Sequence, residues 1–222
     1  SIDNFLKKIG NRGGIASSNN FDVHFYLTPE LKKALSSYFK EEDIKIFCDE
    51  AQLPNISTGT GSITGRYLGE SQVNYATSRV FSTFQLGWML TADLLPLKFI
   101  QSWNDYIFGE NMLNQKPGSG IESMRTTDRL NAKRPVRLAY PDEYRCNIRI
   151  TKTEMGPEST QERAPITYVM ENCWPAEVDA VPLSYGNSQL TRVTATFQYH
   201  RHQVFYNNVR GYSYFSQSEV PV

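Results

Sequence analysis

The feature of the sequence that most constrains its fold is the strict alternation of apolar and polar residues in several short segments. The longest example lies at 192–200, where the apolar side chains are Val193, Ala195, Phe197 and Tyr199. Shorter examples lie at 21–27, 80–90 and 144–151. Successive side chains of a β-strand point to opposite faces, so the pattern predicts strands with one buried and one exposed face. Such strands suit antiparallel sheets, and we expect a mainly β fold with minor α content.

Three further strands are predicted at 43–53, 66–78 and 165–173, and two helices interrupt the strands. Thr28 can cap a helix at 29–40 that Pro29 opens, and its apolar residues form one stripe. A second helix is expected after Asp93, where Phe99 and Trp103 should anchor it on a sheet. Trp174 is also expected in the core, and Pro175 is expected to end its strand because proline lacks a backbone N–H.

The remaining segments lack periodicity and define the predicted domain boundaries. The segments 54–65 and 109–139 are expected to be irregular, and loops of such length usually carry function or are disordered, so both are candidate contact arms. The predicted organisation is an N-terminal segment at 1–18, a β domain at 19–205 with the inserted helix 29–40 and the loop 109–139, and a C-terminal extension at 206–222.

The composition excludes several classes of protein. The 23 Lys and Arg residues balance 23 Asp and Glu residues among 222, so no overall charge favours nucleic acid or an anionic membrane. No apolar run is long enough to span a bilayer, and no secretion signal is recognisable, so the chain is expected to be made and kept in the cytosol. Its three cysteines are odd in number and widely spaced, which predicts reduced packing thiols.

Candidate catalytic and metal-binding groups are sparse. His200 and His202 would share one face of a strand and could bind a metal together, but no third ligand lies nearby, so a polar strand face is preferred. The carboxylates at 41–43 and 49–50 are interpreted as a solvated turn rather than as paired catalytic acids. No nucleophile elbow, phosphate-binding loop or dinucleotide fingerprint is present. We therefore predict no enzymatic activity, no cofactor and no metal.

Two segments are candidate interaction surfaces. One is a basic stretch whose cations are Arg125, Arg129, Lys133, Arg134 and Arg137. A solvated loop, contact with an acidic protein partner and direct DNA binding all remain open for this stretch. The other is the C-terminal extension, in which Tyr212, Tyr214 and Phe215 lack the regular face of a core element. Aromatic residues in such a segment are natural anchors on a partner surface.

The order of several short motifs resembles that of the tail tube proteins of T-even-like contractile bacteriophages. These motifs are NFDV at 20–23, FCDEAQLP at 47–54, RVFSTF at 79–84, the helix after Asp93, NCWPAEV at 172–178, LSY at 183–185 and LTRVTATF at 190–197. Each motif alone is little more than hydrophobic patterning, and the resemblance rests on their ordered combination over about residues 15–205.

The resemblance implies a two-sheet antiparallel β-barrel or sandwich with a flanking helix. It also implies homohexameric rings that stack into a tube, with tail sheath, tape-measure and baseplate proteins as partners. DNA would pass through the lumen without sequence-specific binding, and the protein would belong to the virion after assembly in the host cytoplasm. The additional segments leave a baseplate-end ring of the same fold open as an alternative, and a carbohydrate-binding β-sandwich or a hydrolase with a hidden site are the competing classes.

Overall fold

The computed structural model describes residues 2–11, 15–36, 40–65, 71–108, 138–154, 166–182 and 190–206. The helices in this part are α1 (Ile2–Asn11), α2 (Pro29–Ala34), α3 (Glu41–Ile46), α4 (Leu95–Ile107) and α5 (Pro141–Tyr144). The strands are β1 (Phe21–Tyr26), β2 (Cys48–Ala51), β3 (Ser57–Ile63), β4 (Val73–Val80), β5 (Phe84–Met89), β6 (Cys146–Lys152), β7 (Ile166–Val178), β8 (Arg192–Gln198) and β9 (Arg201–Tyr206).

Seven of these strands form two four-stranded sheets that share β7. The first sheet has the order β1-β6-β7-β9, and the second has the order β7-β8-β5-β2. Every pair of neighbouring strands in them is antiparallel. The expected fold class, an antiparallel two-sheet β fold with helices beside it, is therefore confirmed. The four segments in which alternation predicted strands supply β1, β5, β6 and β8, and the strand expected at 165–173 supplies the start of β7.

Strand β7 passes from one sheet to the other through a bend at Asn172. The φ angle of Asn172 is 56°, a left-handed conformation that asparagine tolerates better than most residues. Its backbone N–H donates to Asn147 Oδ1 at 3.0 Å. The prediction that Pro175 ends its strand is wrong, because β7 continues past it to Val178. Pro175 lies opposite Phe197 next to a register shift, and such an irregularity accommodates a residue without a donor.

The core lies between the two sheets and is centred on Phe197 of β8. Its ring is fully buried and contacts rings from both sheets and from α4. The centroid distances from Phe197 are 5.5 Å to Phe84, 5.9 Å to Trp103, and 6.4 Å to both Phe25 and Trp88. This aromatic cluster fixes the positions of the sheets relative to each other, since interiors are packed without large voids.

Helix α4 packs against the core through its apolar side, as its apolar spacing predicted. Phe99 and Trp103 are both fully buried, which confirms that they anchor the helix. The indole N–H of Trp103 donates to the carbonyl of Tyr144 at 2.9 Å, which ties α4 to α5. At the start of the helix Leu94 occupies the N-cap position with φ 55°, and the carboxylate of Asp93 accepts from the N–H of Leu95 at 3.3 Å.

The region before β2 differs from the sequence-based expectation. Thr28 caps α2 as expected, with its hydroxyl accepting from the N–H of Leu31, and α2 ends at Ala34. A strand was expected at 43–53, but α3 occupies its first part and β2 covers only Cys48–Ala51. Acidic residues in the first turn of α3 interact favourably with the helix dipole, and its Ile44 is fully buried.

Strands β3 and β4 form a separate two-stranded hairpin. The sequence predicted an irregular segment at 54–65, but β3 pairs with β4 along its whole length. The signal of a strand is weak there because both faces of β4 are exposed, so no buried face imposes alternation. Gly61 lies under the ring of Tyr75, where a Cβ atom would stand 2.7 Å from the ring carbon Cζ. A larger residue at this position would therefore displace the ring of Tyr75 from the backbone.

Candidate assembly interface

The interaction residues that the sequence singled out lie outside the described residues. They are Arg125, Arg129, Lys133, Arg134, Arg137, Tyr212, Tyr214 and Phe215. Their roles stay predictions, as do the boundaries of the irregular loop and of the C-terminal extension. The candidate surfaces that follow are built from the described residues alone.

The hairpin of β3 and β4 projects several apolar side chains into solvent. Ile63 and Val73 form a cross-strand pair near its tip, and they are 60% and 64% exposed. Tyr75 extends the same apolar strip towards the sheets. Apolar residues paired on an exposed hairpin suit a surface that is covered by another protein.

The base of the hairpin is held firmly by the body of the protein. The ring of Phe81 packs edge-on against Tyr199 at 5.9 Å and against His202 at 5.2 Å. The guanidinium of Arg79 lies over the Phe81 ring at 5.9 Å, and the hydroxyl of Ser82 donates to the side chain of Asn55. The hairpin is therefore an arm fixed at one end and exposed along its length.

The outer face of the second sheet is polar and includes charged side chains, among them the exposed Glu177 opposite Thr196. Gln85 donates to the hydroxyl of Thr196 at 3.3 Å, and Thr194 lies beside them. At the edge of this face Arg192 forms ion pairs with Asp49 at 2.7 Å and with Glu50 at 3.2 Å. The cation there is matched by carboxylates, so the face offers neither a sticky apolar surface nor an unmatched basic patch.

The outer face of the first sheet carries a compact ionic cluster with α3. The carboxylate of Asp22 is 2.8 Å from both His24 Nε2 and Lys45 Nζ, and Glu41 lies 3.7 Å from His24 Nδ1. Partial burial by itself raises the pKa of Asp22, but hydrogen bonds and charges from His24 and Lys45 outweigh it. The pKa of Asp22 is thereby lowered from 3.8 to about 2. The cluster fastens α3 to β1.

The two histidines considered as metal ligands do not share a surface. His200 lies exposed at the turn before β9, whereas His202 is buried beside Tyr199, whose hydroxyl is 3.3 Å from its Nδ1. Desolvation and the charge of Arg79 lower the pKa of His202, which keeps it neutral at pH 7. In the described ranges no group of three or more His, Cys, Asp or Glu residues is arranged to hold a metal ion.

The three cysteines are free thiols buried in the core, in agreement with their predicted role as packing residues. Burial raises the pKa of Cys48 to about 12, and it also raises the pKa of Cys146 and of Cys173 well above the usual value. A thiol is nucleophilic only as the thiolate, so these groups are chemically quiet.

Sequence reasoning missed two exposed features. The hairpin strand β3 was undetectable because Ser, Thr and Gly alternate there without a hydrophobic period. Helix α1 could have been found, because Ile2, Phe5, Leu6 and Ile9 have the spacing of one helical face.

The family of the chain follows from a comparison with protein-family models. The model described as phage tail tube protein matches residues 16–205, which include every strand of both sheets except the last residue of β9. The chain belongs to the phage tail tube protein family. The function class expected from the order of the motifs, a structural subunit of the phage tail tube, is thereby confirmed, and the protein is a component of the virion tail.

Three solved structures that match most of the chain have sequence identities of 12% or less. A chain in the baseplate of the anti-feeding prophage is 12% identical with a TM-score of 0.49, and the match covers 88% of this chain and 97% of that chain. A chain in the sheath–tube complex of the extracellular contractile injection system PVC is 12% identical with a TM-score of 0.47, covering 87% and 93%. An Hcp protein is 8% identical with a TM-score of 0.43, covering 84% and 93%.

A comparison with curated protein sequences finds no match. The helices of the described part include none that is long and apolar enough to cross a lipid bilayer.

Proposed function

We propose that this tail tube protein forms hexameric rings of the inner tube of a contractile phage tail, and that the stacked rings conduct DNA into the host. The role is structural rather than catalytic, and assembly takes place in the host cytoplasm. The observation that carries the proposal is the combination of two sheets with open edges and a projecting hairpin, in a chain of the tail tube family.

The open edges supply the means of ring closure. Strands β1 and β9 bound the first sheet and β2 bounds the second, and none of the three has a second ladder partner among the described strands. An unpaired edge presents a row of backbone donors and acceptors that can pair with another chain. Head-to-tail pairing of two such edges closes into a ring when the rotation between copies is right, and closure leaves neither of these two edges unpaired.

The hairpin supplies contacts beyond one ring. Its apolar strip around Val73 and Tyr75 is too exposed to stabilise the subunit itself, while its base is fixed by Phe81. Burial of such a strip against a neighbouring subunit would gain about 25 cal/mol for each Å² of apolar surface removed from water. A rigid arm loses little entropy on docking, which makes it an efficient connector between rings.

The outer face of the second sheet is proposed to line the lumen. Gln85, Thr194 and Thr196 supply neutral polar groups on it. Glu177 adds a carboxylate, and Arg192 is paired with carboxylates. DNA is held mainly by unmatched cations that replace its counterions, so a polar wall whose described cation is paired lets it slide. The first sheet, with its ionic cluster around Asp22, would then face outwards towards the sheath.

The basic stretch is proposed to bind an acidic surface of a neighbouring ring or of another tail protein. Charge reversal at Arg129 and Arg134 should weaken assembly, and added salt should weaken the wild-type protein in the same way, because exposed charges are screened. Unchanged assembly together with lost DNA binding on a filter would instead assign the stretch to DNA.

Electron microscopy of the purified full chain tests the proposal directly. Rings with six-fold symmetry, alone or stacked into tubes, are the expected result. Continuous tubes would place the protein in the main tube, while isolated rings would favour a baseplate-end ring of the same fold. A protein that stays monomeric at all concentrations and salt conditions contradicts the proposal.

A further inference from the structure

Helix α1 presents an apolar stripe that nothing in the described part of its own chain covers. Ile2, Phe5 and Leu6 are 77%, 63% and 58% exposed, and Ile9 completes the same face. An isolated helix of ten residues is marginal in water, and amphipathic helices are normally stabilised by a surface that buries their apolar face. We therefore expect another surface to bury this apolar stripe.

The chain after α1 is fastened to the body close to its first strand. The backbone N–H of Ser17 donates to both carboxylate oxygens of Glu154, at 3.1 and 3.2 Å. Only five residues, including the pair Gly13 and Gly14, separate this point from the end of α1. The six Cα–Cα steps from Asn11 to Ser17 can span at most roughly 20 Å when the chain is fully extended. The helix can therefore reach only surfaces near the start of β1, on its own subunit or on an adjacent one.

A pocket of mixed lining lies near that anchor point. It is open, has a volume of about 500 Å³, and is lined by the apolar Phe21 and Ile46, by Cys48, and by the polar or charged Ser18, Asn19, Asp22, Lys45 and Asp49. Ile46 is 70% exposed although it is a large aliphatic residue. Ile46 and Glu42 are four residues apart in α3 and lie on the same face of the helix, so an apolar side chain and a carboxylate are adjacent there.

The charges of the two helices are complementary. Helix α1 carries two lysines and one aspartate, whereas α3 carries three acidic residues and one lysine. Lys8 borders the apolar stripe, and Glu42 borders Ile46. When apolar side chains meet, these flanking charges would be adjacent, which fixes the orientation of the helices more than it adds affinity.

We propose that α1 is an exchanged arm whose apolar stripe packs against Ile46 and the pocket beside α3 of a second copy of this chain. The inference rests on the proposed ring assembly, and it requires that the pocket of another copy lie within reach of the tether in that assembly. Within one subunit both the stripe and Ile46 stay exposed although the tether begins at the pocket, and this favours the exchanged arrangement. Such an arm links two subunits through surfaces that each subunit already has, the stripe of α1 and the pocket beside α3.

Disulfide trapping between two single variants tests the exchange. Leu6→Cys and Ile46→Cys proteins are purified separately, mixed, allowed to assemble and oxidised. We expect a cross-linked heterodimer on a non-reducing gel from the mixture and a ladder of oligomers from the double variant. Asn4→Cys, on the opposite face of α1, is the matched control and should give little product with Ile46→Cys. Each single variant alone measures any reaction with the three buried native thiols.

The possible outcomes separate this inference from the proposed function. Rings seen by electron microscopy without a trapped heterodimer overturn the exchange and leave the ring proposal intact. A double variant that closes only within one chain also overturns it, because the helix then folds back on its own subunit. Equal trapping by Asn4→Cys overturns the assigned face. A protein that never assembles overturns both proposals.

Assembly of charged variants provides an independent measurement. Phe5→Asp should raise the protein concentration needed for assembly about tenfold or more, the effect expected when one central apolar contact is lost. Asn4→Asp adds the same charge on the opposite face and should leave it unchanged. Flotation of the wild-type protein with anionic phospholipid vesicles, abolished by Phe5→Asp, would assign the stripe to a lipid surface and overturn the inference.

Discussion

The anchoring of α4 by Trp103 is the structural feature whose energetic contribution can be worked out most fully. Trp103 is fully buried, its ring contacts Phe99 and Phe197, and its indole N–H donates to the carbonyl of Tyr144. Truncation of a buried Trp to Ala lowers the free energy of unfolding by about 3–5 kcal/mol. With a urea m-value of about 2 kcal/mol per M, the midpoint of unfolding should fall by about 1.5–2.5 M.

A second substitution separates packing from hydrogen bonding. Trp103→Phe keeps an aromatic ring in the core but removes the N–H donor, and an unsatisfied buried acceptor costs about 1–3 kcal/mol. The midpoint of this variant should therefore lie between those of the wild type and of Trp103→Ala. Urea titration followed by far-ultraviolet circular dichroism measures all three proteins without relying on tryptophan fluorescence.

The half-buried Trp174 supplies the matched control. Its ring meets Tyr144 edge-on at 6.3 Å at the margin of the core, so Trp174→Ala should cost about 1 kcal/mol, the centre of the range for single substitutions. A midpoint of Trp103→Ala equal to that of the control would refute the anchoring role. If Trp103→Ala proves insoluble, the Phe variant still decides the question, because an unchanged midpoint would show that the hydrogen bond and the ring shape contribute nothing.

Three further predictions follow from the described surfaces. Because the pKa of Asp22 is about 2 in the folded protein and 3.8 is its ordinary value, the stability that this carboxylate contributes is present above about pH 4 and lost as the pH falls towards 2. This lowering of the Asp22 pKa corresponds to at most roughly 2 kcal/mol of stability. Asp22→Asn should therefore lower the urea midpoint at pH 7 but not at pH 2. An equal decrease of the midpoint at both pH values would contradict the stabilising role of the Asp22 carboxylate. Val73→Asp in the hairpin should abolish stacking seen by electron microscopy while changing stability by less than about 0.5 kcal/mol, and Asn74→Asp on the other face should do neither. Thr196→Lys should make assembled tubes retain DNA at low salt, whereas Gln203→Lys on the first sheet should not, and the reverse result would place the first sheet at the lumen.

The regular part of the fold was predictable from the sequence for a simple physical reason. A strand with one face in the core and one in solvent must alternate, and β1, β5, β6 and β8 all do so. Helix α4 was equally visible, because its buried residues repeat with the helical period. The order of these elements along the chain was sufficient to indicate the tail tube family.

The elements that were wrongly predicted are those in which burial does not impose a periodic pattern on the sequence. The hairpin strands are exposed on both faces, so nothing selects an alternating pattern in them. Helix α3 lies where a strand was expected, because six residues with one buried isoleucine fit either period. Pro175 remains inside β7 because a register shift beside it removes the need for its donor.

The sequence by itself determined the fold class, which follows from which residues must be buried, and the ordered short motifs indicated the family by their resemblance to known tail tube proteins. The tertiary structure alone decided that β7 belongs to both sheets, through the left-handed conformation of Asn172, and that the apolar side chains of α1 and of the hairpin stay in solvent. The sequence does not distinguish an apolar residue that is buried within its own chain from one that is buried against another copy. Only the packing of the subunit shows which apolar faces are left for a neighbour to cover.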